Sequence, residues 1–253
     1  MKNPDQAKWV TSLLKPLFLA FIFSFHMGFA QNDSLQDSLR LQETQIKVKQ
    51  FIIPAAMVTY GFISLANPKL NQSTSNELRE DHPLFHSNYD NYTQFAPGAA
   101  VFALNAFGVE GKHNWKDAAL IYGTTVAITT AIVFPLKKIT KEERPDHSGF
   151  NSFPSGHTAI AFASAEFLRQ EYKDTSPWIG YAGYAVATAT GVLRMYNNKH
   201  WVGDVVAGAG IGIASAKLSY LLYDKVFLKK GWHFSLTPMY MNQTAGLVYV
   251  YNF

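Results

Sequence analysis

The sequence predicts an all-α protein: a six-helix bundle with a short C-terminal β-hairpin. Three observations carry that prediction. Long uncharged stretches run over 51–68, 91–109, 118–136, 175–193 and 205–216, with a shorter one at 156–168 interrupted by Glu166. They are rich in Ala, Gly, Val and Ile and last too long for strands. Charged and polar residues gather between them, where helix ends and loops belong. The composition agrees: of 253 residues, 48% are hydrophobic and only 16% charged, too apolar for a disordered chain. Cysteine is absent, which excludes disulfide scaffolds, Cys-zinc sites and thiol catalysis. A net charge of +4 suits an anionic partner without being a nucleic-acid footprint.

Taken in order, residues 1–30 read as a secretory signal peptide. Lys2, Lys8 and Lys15 form a basic start, Pro16 through Phe25 an apolar run, and Gly28-Phe29-Ala30 a small-residue site for cleavage before Gln31. Residues 31–50 are a polar lead-in, 51–230 the helical domain and 231–253 a hairpin or tail. Ala118 through Leu136 is uncharged between Asp117 and Lys137, long enough to cross a bilayer or to form the centre of a bundle. Gly208 and Gly212, four apart among alanines, predict close helix–helix approach. The stretch 69–94, with Leu84, Phe85, Tyr89 and Tyr92, reads as a loop, and His82 and His86 as loop residues because Pro83 separates them. Trp232–Thr237 and Gly246–Tyr251 have strand composition around a polar turn at Met241–Thr244.

Three segments carry chemistry. Lys137-x6-Arg144-Pro145 follows the long apolar stretch. A guanidinium fork and a lysine ammonium suit phosphate oxygens, although the same residues also make a solvated helix end. Pro154-Ser155-Gly156-His157 opens the next helix. Ser155 is a good N-cap, Gly156 removes a side chain where N–H groups point outward, and His157 in the first turn is placed to move a proton. A plain capped helix with a histidine fits equally. In Arg194-x5-His200-x3-Asp204 the last two residues share one helix face if the helix begins near Lys199. The carboxylate would then hold the Nδ1 proton and leave Nε2 free to attack, against the alternative of an inconsequential i,i+4 pair. The joint pattern favours function. If the helices alternate direction, loops 137–155 and 194–201 meet at one end and form an anion cradle between an acid and an oriented nucleophile. His147, between two motifs, reads as solvated.

With these three segments in order, KKITKEERP (137–145), PSGH (154–157) and LRMYNNKHWVGD (193–204), the chain resembles the type 2 phosphatidic acid phosphatase superfamily, which includes bacterial non-specific acid phosphatases and vanadium haloperoxidases. The resemblance covers roughly residues 51–225, and Leu193 stands where the family pattern often has Ser. It implies the helical fold of that superfamily and a metal-independent phosphatase without cofactor. His200 would be the nucleophile forming a phosphohistidine, Asp204 its orienting partner and His157 the acid and then base. Lys137, Arg144, Arg194, Ser155 and Gly156 would hold the phosphate. The apolar bundle favours a lipid phosphate: phosphatidate, phosphatidylglycerophosphate, undecaprenyl diphosphate or lipid A. The alternatives are a haloperoxidase using vanadate in the same cradle and a non-catalytic envelope protein that binds lipid phosphate. The expected partners are lipid phosphate and membrane, with no nucleic acid, in a bacterial-type cell envelope with the site facing the periplasm. If the exported chain crossed with every helix, the site loops would face the cytoplasm. A periplasmic site therefore requires one segment, 51–68 with Pro54 or 91–109 with Pro97, not to span.

Overall fold

The computed structural model describes residues 48–67, 69–225, 234–241 and 244–251. The signal peptide and most of the polar lead-in lie outside the described residues. Six long helices occur where uncharged stretches predict them: α1 (Ile52–Ala66), α4 (Ala96–Ala106), α5 (Trp115–Thr140), α6 (Gly156–Tyr172), α7 (Pro177–Tyr196) and α8 (Val202–Tyr223). Two further helices, α2 (Lys69–Asp81) and the single turn α3 (Asp90–Thr93), replace much of the expected 69–94 loop. The polar sequence of α2 conceals a tertiary anchor. The buried Asn71 Oδ1 accepts from Ser64 Oγ of α1 at 2.5 Å and from the Gly203 N–H of α8 at 3.0 Å. β1 (Phe234–Met241) and β2 (Thr244–Tyr251) form an antiparallel hairpin, with Phe234 opposite Tyr251 and Met241 opposite Thr244.

Local chemistry sets the ends that matter. Asn114 caps α5, its Oδ1 accepting from the Lys116 and Asp117 N–H groups at 3.0 Å each. Left-handed Lys141 (φ 47°) ends α5 one turn after Lys137. Residues 141–155 fold back through Arg144 N–H to Gly149 O (2.9 Å) and Ser152 N–H to Glu142 O (3.0 Å), delivering the chain to α6.

α6 packs along α7 and α8, α1 lies along another side of α8, and α5 contacts α6 and α8. The spacing of Gly208 and Gly212 has the predicted consequence. A Cβ on Gly208 would sit 2.5 Å from the Ser155 carbonyl oxygen, and one on Gly212 would strike the Ala159 carbonyl. α8 therefore lies against the first turns of α6, backbone on backbone. The aromatic part of the core, including Val101, Ile121, Phe167, Tyr172 and Tyr220, lies toward the far end of α6. Large side chains fill one end and small ones draw helices together at the other.

Among the described residues, two helices are long and apolar enough to cross a membrane, α5 and α8. They are used differently: 67% of the apolar window of α8 is buried inside the domain, against 22% for α5. α5 turns Ile132, Phe134 and Ile139 outward.

Candidate active site

α5 and α7 end, and α6 and α8 begin, at the same end of the domain, so the three predicted segments meet there. Ser155 N–H donates to the Asp204 carbonyl at 3.0 Å, tying the start of α6 to the start of α8. Lys137 Nζ donates to the Asn151 and Ser152 carbonyls at 2.6 and 3.1 Å. Arg144 Nε donates to Asn151 Oδ1 at 2.8 Å. Trp201 Nε1 donates to the Glu143 carbonyl at 2.8 Å, and Lys199 pairs with Asp146 at 2.5 Å, closing the first segment over the third.

His200 and Asp204 are both buried, with Nδ1 and Oδ2 3.3 Å apart. They are not one turn apart within a helix, because α8 begins at Val202 and His200 precedes its N-cap, Trp201. Asp204 Oδ2 reaches back to the Trp201 N–H at 2.9 Å, as an acidic N3 residue does in a capping box. It also accepts from Ser152 Oγ at 2.5 Å. The carboxylate is thus held by the helix start and the preceding loop together. Burial lowers the His200 pKa to about 4, against the raising effect of Asp204, and the Lys137 and Arg194 charges add to the lowering. The imidazole is neutral at neutral pH, the state a nitrogen nucleophile needs.

Ser155 occupies the N-cap position of α6, but its side chain does not cap. Its buried Oγ accepts instead from Thr158 Oγ1 at 2.9 Å. The first turn, with Gly156 and His157, keeps the donor character that makes a helix start attractive to anions. His157 Nε2 lies 2.9 Å from Asn91 Oδ1. Burial first, and then the Arg194 charge, lowers His157 to about 4, with Lys137 and Arg144 acting in the same direction and Asp90 opposing. Burial and the Arg194 charge likewise push the Arg144 guanidinium below its usual value, against Asp146 and Asp204. Three cations thus converge on one small region.

The segment 87–94, read from sequence as a loop, contributes a layer of its own. Asp90, 1% exposed, accepts from Arg194 Nη1 at 2.5 Å, which leaves Arg194 Nε buried without a protein partner. Asn197 Nδ2 donates to the Ser87 carbonyl at 2.8 Å, and Ser87 N–H donates back to Asn197 Oδ1 at 2.8 Å. Asp90 therefore orients Arg194, and Asn91 orients His157. No spacing signal announces them, since they belong to a polar stretch with no motif. Ser152 was missed for the same reason. His147, as expected, is solvated, and its ring pairs with Glu143 at 2.8 Å. His82 and His86 lie in a loop, and the His82 and Phe85 rings each lie tilted against Tyr196. Leu193 lines a cleft with Phe85–Tyr89 and Tyr92.

Beside His157 opens a pocket of about 190 Å³, lined also by Gln94, Lys137, Gly156, Val133, Phe134 and Ile160. Its wall is almost wholly apolar and largely α5. His157 lines it and His200 does not. Among the described residues, no group of three or more His, Asp or Glu side chains is placed to hold a metal ion.

The helical domain thus gathers three cations, two histidines and a carboxylate at one end. Residues 118–228 match the family described as the PAP2 superfamily. Over 155 residues the chain is 38% identical to the lipid A 1-phosphatase of Porphyromonas gingivalis, covering 60% of this chain and 35% of that protein. It is 34% identical over 94 residues to the bacitracin transport permease protein BcrC of Bacillus licheniformis, covering 32% of this chain and 44% of that one. The chain thus spans less than half the length of these curated relatives. Among solved structures, Aquifex aeolicus LpxE is similar with a TM-score of 0.46 and 25% identity, over 60% of this chain and 95% of that one.

Proposed function

We propose that the protein is a metal-independent lipid phosphatase that works through a phosphohistidine intermediate. The observation that carries the lipid part is the apolar pocket on the His157 side of the cradle. In phosphoryl transfer the nucleophile and the leaving oxygen lie in line on opposite sides of phosphorus. With His200 as nucleophile and His157 as acid, the leaving group lies beside His157, where the pocket wall is Val133, Phe134 and Ile160. An apolar leaving group, the body of a lipid, suits that wall. The outward apolar surface of α5 offers it a route from a bilayer. Supporting the same reading, one relative is named lipid A 1-phosphatase.

In the first half-reaction His200 Nε2 attacks phosphorus. The N–P bond forms as the P–O bond to the leaving group breaks, and His157 gives that oxygen a proton. Asp204 accepts the Nδ1–H and balances the charge on the phosphorylated ring. Lys137, Arg144, Arg194, the Gly156 N–H and Ser155 hold the non-bridging oxygens, so positioning and charge supply the catalysis. In the second half-reaction His157 takes a proton from water, whose oxygen displaces His200 and releases phosphate. His157 receives its first proton in the complex, because the phosphate dianion offsets the burial and the cationic charges that depress its pKa. The three side-chain cations supply the neutralisation a metal would otherwise bring. We place the protein in a bacterial-type cell envelope with the site toward the periplasm. Vanadate would enter the same cradle only under the haloperoxidase alternative, which no contact here favours.

The test is phosphate release by the purified protein from phosphatidate, phosphatidylglycerophosphate, undecaprenyl diphosphate and lipid A. Turnover of at least one lipid, lost in His200→Ala and accompanied by acid-labile phosphate on the parent protein, is expected. Turnover that survives His200→Ala overturns the mechanism. A preference for soluble monoesters over every lipid overturns the substrate class. A reporter fused within 141–150 reads the orientation.

A further inference from the structure

One half-buried glutamate at the site, with a buried carboxyl oxygen, has no part in this scheme. Glu142 stands between Lys137 and Arg144, and its carbonyl accepts the Ser152 N–H at 3.0 Å, which brings the loop over the start of α8. Ser152 links it to Asp204, its N–H on the Glu142 carbonyl and its Oγ on Asp204 Oδ2 at 2.5 Å, and the two carboxyl groups interact. Glu142 Oε2 and Asp204 Oδ1 are buried, and no N–H or hydroxyl group reaches either. Asp204 Oδ2, by contrast, is shared among Ser152 Oγ, the Trp201 N–H and His200 Nδ1. Two carboxylates in contact cannot both be ionised, and a hydrogen bond between them requires one proton.

The surroundings assign that proton. Burial and the neighbouring Asp204 carboxylate push the Glu142 carboxyl well above the usual carboxylate range, and Lys137, which works the other way, is outweighed. The charged and titratable groups facing Glu142 are Lys137 from α5 and Asp204 from α8, with His200 behind Asp204. Asp204, with two N–H or O–H donors and a histidine on Oδ2, is the better-solvated anion of the pair.

We propose that Glu142 is a positioning residue, a neutral carboxylic acid that donates to Asp204 Oδ1 and thereby holds Oδ2 against His200 Nδ1. With Oδ1 bound, the Asp204 carboxylate cannot rotate away from the histidine, and its negative charge is drawn partly toward Glu142. The His200 ring keeps one tautomer and one orientation. When Glu142 loses its proton, two adjacent anions repel and the Asp204 side chain leaves the histidine. The pair is therefore an alkaline off-switch for the nucleophile. This inference rests on the phosphatase reading only for its activity readout.

The experiment compares the full-length parent with Glu142→Gln and Glu142→Ala in detergent micelles, using para-nitrophenyl phosphate and phosphatidate across pH. Glutamine keeps an N–H donor for Asp204 and cannot ionise. Glu142→Ala is expected to lose about ten- to hundredfold in kcat/KM at neutral pH, the loss of one hydrogen bond to a charged group. Glu142→Gln should recover most of that loss and lack the parent's alkaline limb. An alkaline limb unchanged in Glu142→Gln, or a fully active Glu142→Ala, overturns the proposal. An infrared difference spectrum, parent minus Glu142→Gln, is independent of turnover. It should contain a protonated carboxyl band at neutral pH that disappears as the pH rises, and its absence overturns the proposal even if the enzyme is active. If no ester is hydrolysed but the band is present, the phosphatase reading fails and the carboxyl pair stands.

Discussion

Among the described residues, a histidine–carboxylate pair stands at each end of α6, and the two differ in their surroundings. At one end His113 Nδ1 lies 2.8 Å from Glu171 Oε1. The Glu171 carboxylate also accepts from the His113 N–H at 2.9 Å and from Tyr220 Oη at 2.5 Å, and the His113 ring sits against Tyr220 and Tyr223. At the other end His200 meets Asp204 at 3.3 Å. Three cations stand close by, an Arg194 nitrogen and an Asp204 oxygen lack ordinary donors or acceptors, and an apolar pocket opens alongside. The first pair is saturated and ties a loop to a helix end. The second is held on one side and left open to an anion on the other. A histidine beside a carboxylate thus says little by itself about function. What surrounds it decides whether it is a fastening or a reactive group.

The largest effect that tests this contrast is loss of the nucleophile. His200→Ala should lower kcat/KM by about 10³-fold or more, whereas His113→Ala should leave turnover of the folded protein near the parent value. Equal losses at both ends would erase the distinction. In the parent, the neutral His200 that attack requires is present above its depressed pKa of about 4 and is lost as pH falls through it. An acid limb of kcat/KM in that region is the expected signature.

Next in size is the cradle. Arg144→Ala should cost about 10²-fold in kcat, as removal of one preorganised donor to a developing oxyanion does. Its half-exposed loop position predicts little change in thermal unfolding. A variant that loses stability and keeps kcat would show that Arg144 is a fastening too.

Asn91→Ala removes the contact to His157 Nε2, 2.9 Å away. About a tenfold loss is expected, the value of one hydrogen bond that aligns a proton donor. It should be larger for poor leaving groups, whose departure needs the acid, than for para-nitrophenolate. An equal loss for both would remove Asn91 from the acid's environment.

The smallest effects on activity are at the far end, where stability is the readout. His113→Ala should destabilise the protein by about 1–3 kcal/mol by leaving the Glu171 carboxylate short of donors. Although burial works against its charge, the bonds from His113 and Tyr220 hold the Glu171 carboxyl below its usual value. The folded carboxylate therefore contributes stability above the unfolded pKa, and that contribution is lost as pH falls through the lower folded value. Denaturant titrations at descending pH should show this loss in the parent and less of it in Glu171→Gln.

Much of this protein was legible in the sequence by itself. Long uncharged stretches fix six helices, because only a helix buries or exposes that much apolar chain with its backbone groups paired. Alternating helices with short connections bring loops 137–155 and 194–201 to one end, so Lys137, Arg144, Ser155, Gly156, His157, Arg194, His200 and Asp204 converge as their order implies. Gly208 and Gly212 predict the tight crossing that sets α6 against α8. Other features depend on contacts between residues far apart in the chain, which no local periodicity records. α2 is polar enough to read as loop until Asn71 finds Ser64 and Gly203. Asp90 and Asn91 acquire meaning only against Arg194 and His157, and Ser152 only against Asp204. Glu142 is one more acidic residue in a charged loop until folding half-buries it beside another carboxylate. That step belongs to tertiary structure, because desolvation and proximity are what turn an ordinary acid into one that keeps its proton.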